Sequence, residues 1–183
     1  MSKTLGILYK AKPFLNEPTM LLLYNSLFLP YLNYCCEIWG NGSGNSVKKI
    51  CSMQNKAIAV ISNCKKFSHT TPLYVKYNTL KFADIVQMHT CLLAFKANNN
   101  MLPHNLQRLF SKNHDVHQHN TRQNKLFHVE SCRGRSDKHL SIISKSIQLW
   151  NNQSTDVRCS QSVHSFKKSF KKEIICLYKE HIT

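Results

Sequence analysis

The stretch Met20 to Cys36, MLLLYNSLFLPYLNYCC, constrains this chain most. It is apolar almost all round, so a helix formed by it has no face to give to water and belongs in a core. It falls short of the roughly 20 apolar residues that a membrane span requires, and Asn25, Ser26, Pro30 and Asn33 interrupt it. Lys3, Lys10 and Lys12 upstream resemble the basic start of a secretory signal, but no small-residue cleavage site follows the run. The expectation is a buried central helix. Pro30, which has no N–H for the helical ladder, kinks or divides it.

The rest of the chain is read around that helix. Ser2 to Lys12 forms a short helix. Asn16-Glu17-Pro18-Thr19 starts the central one, with Pro18 suited to the first turn. Helix continues from Tyr31 to about Trp39, and Gly40 to Asn45 is a loop. The next helix begins near Ser46. Val47, Ile50, Cys51, Ala57, Ile58 and Ile61 share one face of it, and Lys49 and Lys56 the other. A polar break covers Asn63 to Thr71, and Pro72 opens a short helical turn. A longer helix covers Phe82 to Ala97, with His89 inside its apolar stripe as a core histidine. Asn98-Asn99-Asn100 stops it, and Pro103 begins a short helix through Phe110. Residues 111–138 lose periodicity and read as a long basic loop or a hairpin. Helix resumes from His139 to Asn151, with Ile142, Ile143, Ile147 and Trp150 as anchors. The last helix, Ser162 to Lys179, has a seam of Val163, Phe166, Phe170, Ile174 and Leu177. The fold class is mainly α: a helical bundle, then a smaller helical C-terminal region carrying the long basic loop. The expected divisions are 1–62, 63–110 and 111–183.

Charge bounds the function. The chain has 25 Lys+Arg against 9 Asp+Glu, a formal net charge of +16. Such an excess repels itself in a compact fold and favours a polyanionic partner, whose phosphates release condensed counterions on binding. An anionic membrane surface is the rival partner, and a merely solvated basic surface is the bland alternative. Tyr24, Tyr31, Tyr34, Trp39 and Trp150 would suit base stacking, but at helical spacing they are read first as core.

Catalytic patterns are missing from the local sequence. The four aspartates, Asp84, Asp115, Asp137 and Asp156, are far apart, whereas two-metal phosphoryl transfer needs convergent carboxylates. There is no Walker loop and no G-x-G-x-x-G. His114-Asp115-Val116-His117-Gln118-His119, with His128 or Cys132, is the best metal candidate. It lacks the two separated ligand pairs of a structural zinc site, so no metal or other cofactor is expected. The eight cysteines are scattered without a C-x-x-C pair, and read as reduced thiols of an intracellular protein, nuclear or cytoplasmic.

Six stretches in order resemble the C-terminal part of a jockey-like non-LTR retrotransposon reverse transcriptase. Leu22-Leu23-Tyr24-Asn25-Ser26-Leu27, Pro30-Tyr31-Leu32-Asn33-Tyr34 and Trp39-Gly40 resemble its "LY-x-SL…PYL-x-Y…WG" helix. Gln54-Asn55-Lys56-Ala57-Ile58 resembles "QNKAIR". His69-Thr70-Thr71-Pro72-Leu73-Tyr74 with Leu80-Lys81 resembles "HT-x-PLF…LK". His119-Asn120-Thr121-Arg122 resembles "YNTR", Leu149-Trp150-Asn151 resembles "LWN", and Ser165-Phe166-Lys167-Lys168 approaches "S…FK". The chain departs from the pattern at Ala59, Ser146-Ile147 and Gln153-Ser154, where the family often has Arg, Gly-Pro and Leu-Pro.

The resemblance implies a thumb followed by a C-terminal region, with the catalytic aspartates of the palm lying upstream and outside this chain. Beginning at Met1, it reads as a truncated copy or partial gene model. The expected activity is therefore not polymerisation but residual, sequence-independent binding to an RNA or DNA template–primer, with no membrane partner. Lys48, Lys49 and Lys56 in the thumb-like part, and Arg122, Arg133, Arg135, Lys168 and Lys172 in the tail, are the expected backbone contacts. The alternative is a helical interaction module. It would leave Tyr24, Leu27 and Phe28 exposed, and would associate with itself or with the missing palm.

Overall fold

A computed structural model of the chain describes residues 1–40, 42, 44–64, 69–116, 124–129 and 142–182. It is mainly helical, and among the described residues the sole ladder is an isolated antiparallel bridge between Lys112 and Phe127. Two compact units emerge: residues 1–86 with 171–183, and residues 87–170.

The first unit opens with α1 (Ser2–Ala11) and α2 (Glu17–Leu23). Asn16 caps α2, its Oδ1 accepting from the Thr19 N–H at 3.1 Å, a contact that typically contributes about 1 kcal/mol. A π-helical turn, Tyr24–Phe28, then passes into α3 (Leu29–Asn33), with Pro30 in its first turn. The extra residue in that turn is how the helix accommodates a proline that cannot donate. The expected kink is therefore a π-turn just ahead of Pro30.

Helix does not run unbroken from Tyr31 to Trp39. Cys35 sits in the left-handed region at φ 46°, and a separate α4 covers Cys36–Trp39. Trp39 Nε1 donates to the Tyr34 carbonyl at 2.6 Å across the break, and its ring stacks on Phe82 at 5.1 Å. A Cβ on Gly40 would lie 2.4 Å from both the Cys36 carbonyl and Val86 Cγ2. This contact, not backbone strain, requires a glycine after the tryptophan.

The next helix, α5 (Gly44–Ile61), starts two residues before Ser46, and α6 (Thr71–Lys76) follows with Pro72 in its first turn. Then comes α7 (Phe82–Asn98). Helices α5, α6 and α7 end alike. Asn63, Asn78 and Asn100 adopt positive φ, and the following N–H reaches back five residues: Cys64 to Ala59, Thr79 to Tyr74 and Met101 to Lys96. Asparagine tolerates this left-handed closure better than other non-glycine residues.

The core of the first unit carries a buried amide. Gln54, 1% exposed, donates through Nε2 to the Tyr24 hydroxyl at 3.0 Å and to the Leu80 carbonyl at 2.9 Å. Its Oε1 accepts from the Phe82 N–H, the first of α7, at 2.7 Å. Asn55 accepts from the Tyr74 hydroxyl at 2.8 Å. Tyr24 and Phe28 are fully buried on the inward face of the central helix, so the exposure that the interaction-module alternative called for is absent at these two, whereas Leu27 is 38% exposed. Burial pushes the Tyr24 hydroxyl up to about 12, and its hydrogen bond with Gln54 opposes this.

The second unit contains α8 (His104–Gln107), shorter than the helix read from Pro103 to Phe110, and α9 (Asn113–Val116). The described ends of the 111–138 segment close on each other: His128 N–H donates to the Ser111 carbonyl at 2.8 Å and Asn113 N–H to that of Leu126 at 3.0 Å. Then come α10 (Ile142–Asn151), α11 (Thr155–Arg158) and α12 (Val163–Glu180), of which residues 163–170 belong to this unit and those from Lys171 onward to the first. The part of the expected helix before Ile142 lies outside the described residues. The core here is aromatic. Phe95 and Phe166 lie 4.8 Å apart, Trp150 packs 6.1 Å from Phe95, and Phe110 meets Phe127 edge-on at 5.4 Å. Asn151 clamps the Phe127 backbone from both sides, accepting from its N–H at 3.2 Å and donating to its carbonyl at 2.9 Å.

The seam of α12 is corrected in its last two turns. Phe166 and Phe170 are buried as read, but Ile175 and Tyr178 are buried in place of Ile174 and Leu177, and Leu177 is 48% exposed. Drift of a 3.6-residue helix does not account for this, because Leu177 stays on the Phe166 side; from Lys171 onward the helix belongs to the first unit, where Tyr178 meets Lys81 and Asp84.

Candidate nucleic-acid interface

Helices α1 and α5 pack together in the first unit and frame a groove of about 930 Å³. Lys12, Lys48 and Lys56 supply its positive charge, and His69 adds an imidazole. None of its lining residues is acidic, so the positive potential is not neutralised locally. The floor is apolar where Val47, Ala59 and Val60 line it, and Ser52, Asn55 and Thr70 add hydrogen-bonding groups. Tyr9 completes the α1 wall and is 47% exposed.

The local sequence explains the arrangement. Lys48, Ser52, Asn55, Lys56 and Ala59 recur at helical spacing, so one face of α5 presents them together. Tyr9 and Lys12 are three residues apart, neighbours on a helical surface. Asn55 is held by Tyr74, and Gln54 beside it faces the core. The "QNKAI" stretch therefore does two jobs. Its Gln and Asn bind the unit together, and its Lys faces the groove.

The predicted contacts divide. Lys48 and Lys56 line the groove, whereas Lys49 is exposed but outside its lining. Lys168 and Lys172 are exposed one turn apart on α12. Arg122, Arg133 and Arg135 lie outside the described residues, as do His117, His119 and Cys132 of the metal candidate. Of that candidate, His114 Nε2 lies 3.1 Å from its neighbour Asp115 and His114 Nδ1 lies 3.2 Å from the Asn124 carbonyl.

Other charged groups are engaged within the first unit. The Tyr178 hydroxyl accepts from the Lys81 N–H at 3.1 Å and donates to the Asp84 carboxylate. Lys81 Nζ sits 4.7 Å over the Tyr178 ring and donates to Thr71 at 3.0 Å. Burial raises the Asp84 carboxyl above the usual carboxylate range, against the pull of the Tyr178 hydrogen bond and the Lys81 charge. Lys76 and Glu17 form an exposed ion pair, and this hydrogen bond lowers the Glu17 carboxyl.

The seven described cysteines are free thiols. Burial pushes Cys36 and Cys91 up to about 12, with Glu37 adding to the effect at Cys36. No helix among the described residues is long and apolar enough to cross a membrane.

Over 99 residues the chain is 26% identical to a Drosophila melanogaster protein described as "Probable RNA-directed DNA polymerase from transposon X-element". Its similarity is to a transposon-encoded polymerase. The match covers 48% of this chain and 11% of that protein, so the chain spans a small part of the relative's length. No family model matches the chain, and no solved structure matches it.

Tyr9, Lys12 and His69 line the groove, although the sequence does not mark them as contacts. Lys12 reads in sequence only as one of three early lysines and His69 only as part of a motif. The Tyr9–Lys12 spacing was a usable signal, but nothing local ties it to Lys48 across the chain.

Proposed function

We propose that this chain is a non-catalytic piece of a jockey-like retrotransposon RNA-directed DNA polymerase, corresponding to its thumb and the region after it, and that it holds nucleic acid through the phosphate backbone. The observation that carries this reading is the α1–α5 groove, lined by Lys12, Lys48, Lys56 and His69 with no carboxylate among its lining residues. The +16 net charge and the similarity to a transposon polymerase support it. Lys49, Lys168 and Lys172 add exposed cations, and Arg122, Arg133 and Arg135 are proposed as further phosphate contacts. The palm aspartates belong to a preceding part of the parent polymerase, and the compartment is intracellular.

Binding of this kind is sequence-independent and falls steeply with salt, with a log–log slope of roughly −0.9 per phosphate neutralised on duplex and −0.7 on single strands. Fluorescence anisotropy of a labelled oligonucleotide between 50 and 200 mM salt, about the range over which such proteins lose most of their affinity, tests it. An affinity that barely changes over that range overturns the reading. Primer extension by the isolated chain is expected to yield no product.

A second reading has its own observation. Leu22, Tyr31, Tyr34 and Ile38 are 66%, 57%, 76% and 63% exposed, and apolar side chains of this kind favour association where they adjoin. Sedimentation analysis tests self-association, which a monomer at all concentrations excludes.

A further inference from the structure

We infer that the α1–α5 groove takes a single-stranded stretch of nucleic acid in preference to a duplex, with phosphates on its lysines and an unpaired base against the Tyr9 ring. This rests on the nucleic-acid reading above and specifies the form of the ligand. The lining combines two chemistries. Lys12, Lys48 and Lys56 suit phosphates, while Tyr9, Val47, Ala59 and Val60 suit the face of a base.

A duplex turns its bases inward and offers phosphate ridges outward. It would engage the lysines and leave Tyr9 and the apolar floor without partners. A single strand can turn a base out and stack it on an aromatic ring while its backbone stays with the cations. The dimensions agree. A volume of about 930 Å³ lies in the roughly 300–1,000 Å³ range of pockets that enclose small organic ligands. Lys48 and Lys56, two turns apart on α5, are separated by about 12 Å along the helix axis, enough to reach different phosphates of one strand.

The test compares a labelled 12-nucleotide oligo-dT, roughly the length one single-strand site covers, with a blunt duplex of the same length, at one salt concentration. The single strand is expected to bind at least ~10-fold more tightly. Tyr9→Ala is expected to weaken it by roughly 5- to 100-fold, the loss of one stacked base, while duplex binding stays unchanged. Tyr9→Phe, which keeps the ring, is expected to bind like the parent chain.

Alkylation of Cys64 supplies a second measurement that needs no variant. Cys64 is exposed and lines the groove, whereas Cys35 is exposed elsewhere. Bound oligo-dT is expected to slow iodoacetamide labelling of Cys64 and not of Cys35. Equal or tighter duplex binding, equal loss for both ligands in Tyr9→Ala, or unprotected Cys64 overturns the inference while leaving nucleic-acid binding in place. Absence of binding to either ligand overturns the underlying reading as well.

Discussion

The two units build their interiors from different material. In the first, a polar side chain is the junction: Gln54 ties Tyr24, the Leu80 carbonyl and the start of α7 together. In the second, Phe95, Phe127, Trp150 and Phe166 fill the interior with rings, and side-chain hydrogen bonds such as those of Asn151 and Ser146 go to backbone groups rather than joining the rings. A ring cluster depends on volume, and its loss is felt as a cavity. A buried amide depends on satisfied partners, and its loss is felt as orphaned donors and acceptors. The two interiors should therefore fail differently.

The largest expected effect is Trp150→Ala. Trp150 is 3% exposed, and removing such a ring typically costs about 3–5 kcal/mol, a large share of a domain's usual margin of about 5–15 kcal/mol. Trp150→Phe should recover much of this, because a smaller ring still fills space. Urea unfolding of the variants measures both. If Trp150→Ala costs no more than Trp150→Phe, volume is not what holds this unit.

Gln54→Leu should come next. The replacement keeps most of the volume but leaves the Tyr24 hydroxyl, the Leu80 carbonyl and the Phe82 N–H without partners. Each buried orphan costs about 1–3 kcal/mol, so a net loss of about 3 kcal/mol is expected. Adding Tyr24→Phe removes one orphan and should restore part of the loss. A neutral or stabilising Gln54→Leu in the same unfolding measurement would erase the contrast between the units.

The same contrast explains what was legible in sequence. Several starts and stops are local and readable: Asn16 with Pro18, Pro72, the polar break at Asn63 and the Asn98-Asn99-Asn100 stop, but not Asn78 at the end of α6. The kink at Pro30 follows from its missing N–H. The aromatic anchors Trp150, Phe166 and Phe170 stood out from their spacing. Gln54 did not, because a polar residue in an amphipathic helix reads as surface until its partners at positions 24, 80 and 82 are known. Cys35 gave no warning of its positive φ, since cysteine has no left-handed preference, and the contacts at the break, Trp39 on Phe82 and its indole N–H on the Tyr34 carbonyl, are tertiary or span the break itself. The groove was half legible. Lys48 and Lys56 are visible as charge on one helix, but their pairing with Tyr9 and Lys12 is tertiary.

The smallest expected effect concerns pH, and it sharpens the comparison because it again involves a hydrogen-bonded polar group of the first unit, here a partly buried one. Asp84 accepts from Tyr178, and burial, the dominant influence, holds its carboxyl above the ordinary value. A folded-state value above the unfolded one means that folding favours the protonated form. The associated stability is fully present below the unfolded value of about 3.9 and declines as pH rises through the folded value. Asp84→Asn keeps a neutral hydrogen-bonding group at every pH. The stability of the parent chain relative to Asp84→Asn should therefore fall as pH is raised from about 4 toward neutrality. Taking the difference cancels the acid-induced repulsion of the +16 chain, which both proteins share. Thermal melts of the pair across that range measure it. A difference that instead grows with pH would show that the Tyr178 hydrogen bond and the Lys81 charge outweigh burial at this carboxylate.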